Sequence, residues 1–128
     1  MDLRDRSRAS FLSPPPFSVS SKSEGRSALV TVGGDLDMAT AGILEDLLQS
    51  MMSYTNTILL NTDDVTFVDC AGWHAVTSAA ATLRARGGSL VVVAASKQVR
   101  RLVGLLGPLG VEMDPAIVVP HSGPYDGH

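Results

Sequence analysis

The chain has 128 residues, of which 45% are apolar and 18% charged, and a formal net charge of -3. That length suits one domain of ordinary size and excludes a second full one, while the charge balance gives no electrostatic basis for a nucleic-acid surface. Cys70 is the only cysteine, so an internal disulfide and a cysteine-rich metal site are excluded, and a reduced, cytoplasmic setting is the default.

Residues 1–16 mix scattered charges with serines and the run Pro14, Pro15 and Pro16. This composition predicts a disordered arm outside the core, and it lacks the sustained apolar stretch of a secretory signal. The arginines Arg4, Arg6 and Arg8 could meet an acidic partner, but Asp2 and Asp5 lie among them. The longest apolar runs, such as Leu90 to Ala95, fall far short of the roughly 20 residues needed to cross a bilayer, so no membrane insertion is expected.

Phe17 to Ser20 alternates as a short strand, Ser21 to Ser27 reads as a polar connection, and Ala28 to Val32 reads as a second strand, together suggesting a hairpin. The period then changes to about 3.6. Asp37 is placed to cap a helix whose apolar stripe is Ile43, Leu44, Leu47, Leu48, Met51 and Met52. Thr57 to Leu60 predicts a central strand followed by a polar turn at Asn61 to Asp64, with Val65 to Val68 extending the apolar packing.

Asp69 is a credible cap for a helix over about 71–86, buried through Ala75, Val76, Ala79, Ala80 and Leu83. Gly87 and Gly88 end it, and Ser89 to Ala95 reads as a buried strand. Ser96 then caps a third helix with Val99, Leu102, Val103 and Leu106 inward and Arg100 and Arg101 toward water. Gly107, Pro108 and Gly110 break it, and Ile117 to Val119 is expected as the last strand. The alternation of strands and helices predicts an α/β domain over 17–119, with a flexible tail over 120–128.

Chemistry concentrates at Asp69–Cys70–Ala71–Gly72–Trp73, where a strand enters a helix. The exposed amides and positive end of a helix favour a thiolate or an added phosphate there. Cys70 is either a small buried residue or a redox-responsive thiol, and Trp73 either seals the core or supplies an interface contact. His74 is near Cys70 in sequence, but nothing else marks a thiol hydrolase, and His74, His121 and His128 have no metal-ligand spacing. Asp35 and Asp37 are explained by turn formation and capping. Gly33 and Gly34 are not organised as a dinucleotide loop, and no phosphate-binding lysine motif is present. No metal, cofactor or catalytic residue is therefore assigned.

Gly34 to Thr40 (GDLDMAT), the Asp69 to Trp73 junction, Arg84 to Ser96 (RARGGSLVVVAAS) and the following VRRLVGLLG occur in this order. Together they resemble the STAS domain of bacterial anti-sigma factor antagonists over about 17–119. The resemblance implies a STAS-like fold, a small mixed β-sheet with helices packed beside it. It also implies a non-enzymatic role: binding an anti-sigma factor with a histidine-kinase-like ATP-binding domain and freeing its sigma factor for transcription. The positions it places in or beneath the partner surface are Asp35, Asp37, Thr40, Asp69, Cys70, Gly72 and Trp73, with Arg100 and Arg101 at the periphery.

Two departures from the family pattern matter. Many relatives carry a phosphorylated serine immediately after the junction aspartate, and the matching residue here is Cys70, which cannot take ordinary serine phosphorylation. Constitutive binding is the leading expectation, followed by oxidation of Cys70 or use of another hydroxyl such as Thr66, Thr77 or Ser78. The segment after the last strand also lacks the usual final amphipathic helix, which leaves a monomer or a weak homodimer open. A non-catalytic STAS scaffold or redox-responsive subunit in another signalling assembly is the alternative role.

Overall fold

A computed structural model describes residues 17–120; the expected arm over 1–16 and, of the expected tail, residues 121–128 with His121 and His128 lie outside the described residues. Its elements run β1 (Ser18–Glu24), β2 (Ser27–Leu36), α1 (Ala41–Met51), β3 (Thr57–Val68), α2 (Cys70–Ala85), β4 (Ser89–Ala95), α3 (Lys97–Leu106) and β5 (Glu112–Met113). The strands form one mixed sheet in the order β1-β2-β3-β4-β5. β1 is antiparallel to β2, and every other neighbouring pair is parallel.

Burial alternates along the central strands. Ala28, Val30 and Val32 of β2, Ile58, Leu60 and Thr62 of β3, and Leu90 and Val92 of β4 are buried. Their neighbours Leu29, Thr31, Leu59, Asn61, Val91 and Val93 are half-buried or exposed. Successive side chains on a strand point to opposite faces, so among the described residues the helices cover one face of the sheet and not the other. The covered face packs against Leu44, Leu48 and Met51 of α1, Trp73, Val76 and Leu83 of α2, and Val99 and Val103 of α3.

The alternation of elements and the inward residues of α2 and α3 agree with the sequence reading, but several boundaries differ. Ser21 to Glu24 continues β1, and the hairpin turns at Gly25 and Arg26, where Gly25 adopts a φ of 62° that a Cβ would strain. The polar run Asn61 to Asp64 is strand rather than turn, because a register irregularity between Thr31 and Gly33 absorbs it while β3 continues.

Ile43, expected in the buried stripe of α1, is exposed. α1 starts at Ala41, beyond the turn that Asp37 organises, which rotates Ile43 away from the sheet. The last strand is Glu112–Met113 rather than 117–119. Asp114 instead closes a turn, its carbonyl accepting from the Ile117 amide and its carboxylate from the Ala116 amide.

Candidate functional site

The ends of β2 and β3 and the beginnings of α1 and α2 meet at one end of the sheet, where Asp35 pairs in register with Phe67 and Leu36 with Val68. Asp69 occupies the cap of α2 in extended conformation, and its carboxylate accepts from the Gly72 amide at 2.8 Å. One of the orphan donors of the helix is thereby satisfied. The Asp69 amide in turn donates to the Leu36 carbonyl at 3.3 Å, which ties the start of α2 to the end of β2.

Gly72 explains how closely these segments approach. A Cβ there would collide with the carbonyl of Leu36 and the amide of Asp37, both of them backbone atoms. Glycine is required here by space, since its φ is not in the left-handed region.

The loop from β2 to α1 is held just as locally. The Asp37 carboxylate accepts from the amides of Ala39 at 2.9 Å and Thr40 at 3.2 Å. The Thr40 hydroxyl donates to the Asp35 carbonyl at 2.7 Å and accepts from the Asp37 amide at 3.0 Å. Across the strands, the Thr66 hydroxyl donates to the Asp35 carboxylate at 2.9 Å. Asp35, Asp37, Thr40 and Asp69 thus serve as local fasteners that fix the shape of the loops, with their side chains half-buried.

Trp73 is 1% exposed, so the ring belongs to the core and cannot touch a partner directly. Among the described residues its indole Nε1 has no hydrogen-bond partner. The first turn of α2 turns Trp73 inward with Gly72 and leaves Cys70, Ala71 and His74 outward. Cys70 is exposed, which removes the reading of it as a small core residue.

Two residues that sequence reasoning missed complete this surface. Met38 is 78% exposed on the loop before α1, and Phe67 is 49% exposed beside Asp35. Met38 lies in no periodic apolar stripe, whereas Phe67, expected in the apolar packing of Val65 to Val68, is turned outward where the register of β3 against β2 is irregular between Gly34 and Asp35. Arg100 lines a cleft of about 420 Å³ with Asp64, Thr66 and Ser96, and so borders the same end of the sheet. Arg101 lines a separate depression with Val118 and Pro120. Among the described residues, no group of three or more His, Cys, Asp or Glu could hold a metal ion, and no helix is long and apolar enough to cross a membrane.

The geometry is that of a rigid junction presenting exposed Met38, Phe67 and Cys70 around a frame of short hydrogen bonds. The family model described as STAS domain matches residues 19–112. The chain belongs to the STAS domain family. Its fold is similar to that of an anti-sigma factor antagonist from Mycobacterium paratuberculosis, with a TM-score of 0.70 and 20% identity over 80% of this chain and 88% of that one. The Bacillus cell fate determinant SpoIIAA in its phosphorylated form gives a TM-score of 0.62 and 20% identity, covering 77% of this chain and 89% of that one. A putative anti-sigma factor antagonist from Thermotoga maritima gives 0.67 and 17%, covering 74% and 84%. No curated protein sequence matches this chain.

The STAS assignment accounts for the mixed sheet, the single antiparallel edge strand and the helices on one face.

Proposed function

We propose that this STAS domain is an anti-sigma factor antagonist, acting by binding a kinase-like, ATP-binding anti-sigma factor and releasing the sigma factor held by it. The observation that carries this reading is the exposed pair Met38 and Phe67 beside Cys70, on a junction whose backbone is already fixed. Large apolar side chains on a rigid frame lose little conformational entropy on association, and such residues dominate binding energies at protein interfaces. The likeness in fold to the anti-sigma factor antagonists from Mycobacterium and Thermotoga supports the same reading. The action is in the cytoplasm, needs no nucleic-acid contact by this chain, and involves no bond making or breaking within it.

Cys70 sets the regulation. A phosphate at the first turn of α2 would add nearly two negative charges to a fitted surface, and a thiol cannot receive it by ordinary serine chemistry. The domain therefore binds constitutively with respect to phosphorylation at this position. Asp35, Asp37, Thr40 and Asp69 hold the surface in shape, Gly72 and Trp73 lie beneath it, and Arg100 flanks it.

The test is pairwise: the purified chain is mixed with each ATP-binding, kinase-like anti-sigma factor of its own cell, and sigma-factor release is measured. Release by at least one pair supports the proposal. Failure to bind every such protein overturns it.

A further inference from the structure

Of the hydroxyl residues around the junction, Thr66 is the one that stands exposed. Thr40, Thr77 and Ser78 are half-buried and Ser96 is buried. The hydroxyls of Thr40, Thr77 and Ser96 are also held by backbone groups of their own loop or helix. The Thr66 hydroxyl instead donates to a carboxylate, that of Asp35 on the neighbouring strand, at 2.9 Å. It lies next to exposed Phe67 in β3, three residues ahead of the Asp69 cap.

Two cations share its surroundings. Thr66, Lys97 and Arg100 line the cleft of about 420 Å³ together with Asp63, Asp64 and Ser96. Lys97 and Arg100 belong to the first turn of α3, where the positive helix end disfavours further cations and no acidic residue offsets them. Among the described residues neither side chain forms an ion pair. Asp63 and Asp64 match the two cations in number, so the cleft holds no excess charge for a free anion. A phosphate fixed covalently at its rim needs no such excess, because attachment keeps it at high local concentration beside the cations.

We infer that Thr66 is a phosphorylation site of this chain and that this cleft receives the phosphate. The inference rests on the reading of the partner as an ATP-binding, kinase-like protein. In the step, Thr66 Oγ1 attacks the γ-phosphorus of the partner's ATP and the bond from that phosphorus to the β,γ-bridging oxygen breaks. ADP leaves, and the hydroxyl proton passes to the Asp35 carboxylate and on to solvent. The product replaces a hydrogen bond with a dianion beside a carboxylate. Repulsion from Asp35 turns the phosphate toward Lys97 and Arg100, and the link from Thr66 to Asp35 is lost. Phosphorylation thereby charges the surface beside Phe67 and loosens the loop that carries Met38, which weakens the complex.

The test uses the full chain with magnesium, ATP and each kinase-like anti-sigma factor that binds it. Phosphopeptide mapping is expected to place phosphate on Thr66, with incorporation kept by Thr66→Ser and abolished by Thr66→Val. The chain made with phosphothreonine at position 66 should bind about tenfold more weakly than the unmodified chain. In that phosphorylated chain the second ionisation of the phosphate, followed by phosphorus NMR, should fall about one pH unit below that of the Lys97→Gln, Arg100→Gln double variant. Binding without phosphate on Thr66, equal affinity of the two forms, or equal ionisation midpoints would each overturn this inference and leave the partner assignment standing. Failure to bind any such partner would overturn the assignment and this inference together.

Discussion

Gly72, in the first turn of α2, lies directly against the backbone carbonyl of Leu36 at the end of β2. Even a methyl group at this position would have to displace backbone rather than a pliable side chain. Gly72→Ala is therefore expected to destabilise the domain by about 3 kcal/mol, the upper end for overpacking. Urea unfolding should show a lower midpoint with an unchanged slope.

The contribution of the Asp69 cap is separable from that contact. Asp69→Ala removes the acceptor for the Gly72 amide and should cost about 1 kcal/mol, while Asp69→Asn retains an oxygen in the same place and should cost much less. Equilibrium unfolding of the two variants side by side distinguishes loss of the hydrogen bond from loss of the charge.

Trp73 acts through the core. Trp73→Ala should lower stability by about 3–5 kcal/mol, and any loss of partner binding should follow the unfolded fraction. As the only tryptophan, it should emit at short wavelength in the folded chain and shift to the red on unfolding. Binding measured below the unfolding transition separates this role from that of a surface anchor.

Much of this arrangement was legible in the sequence, and the residues that escaped share a physical reason. Asp69, Ser96 and the stripe from Ala75 to Leu83 follow local rules, since a cap and a helical period are set by neighbours a few positions away. The continuation of β3 through Asn61 to Asp64 depends instead on a bulge shared with β2, a pairing between distant segments. The same holds for the surface. The resemblance singled out Cys70 and its neighbours, but the outward aspect of Phe67 follows from the register of β3 against β2. The inward turn of Trp73 is set by the packing of α2 on the sheet. β5 was displaced from 117–119 because Asp114 closes a turn there, in competition with the β-propensity of the valines.

Cys70 governs regulation more than affinity. Cys70→Ala should bind the anti-sigma factor about as well as the original chain, whereas Cys70→Glu should bind roughly tenfold more weakly by adding charge to the interface. With a partner that has kinase activity and with ATP, Cys70→Ser should incorporate phosphate at position 70, and the original chain should incorporate none there. Phosphopeptide mapping after incubation checks both.

The most direct test concerns where the partner sits. Backbone hydrogen exchange of this chain, free and saturated with its anti-sigma factor, should show new protection over 37–40 and 66–74. Met38→Asp should weaken binding by about 2 kcal/mol, roughly thirtyfold in Kd, without altering stability. Protection confined to α3 or to the open face of the sheet, with Met38→Asp binding normally, would contradict the assignment of the junction as the partner surface.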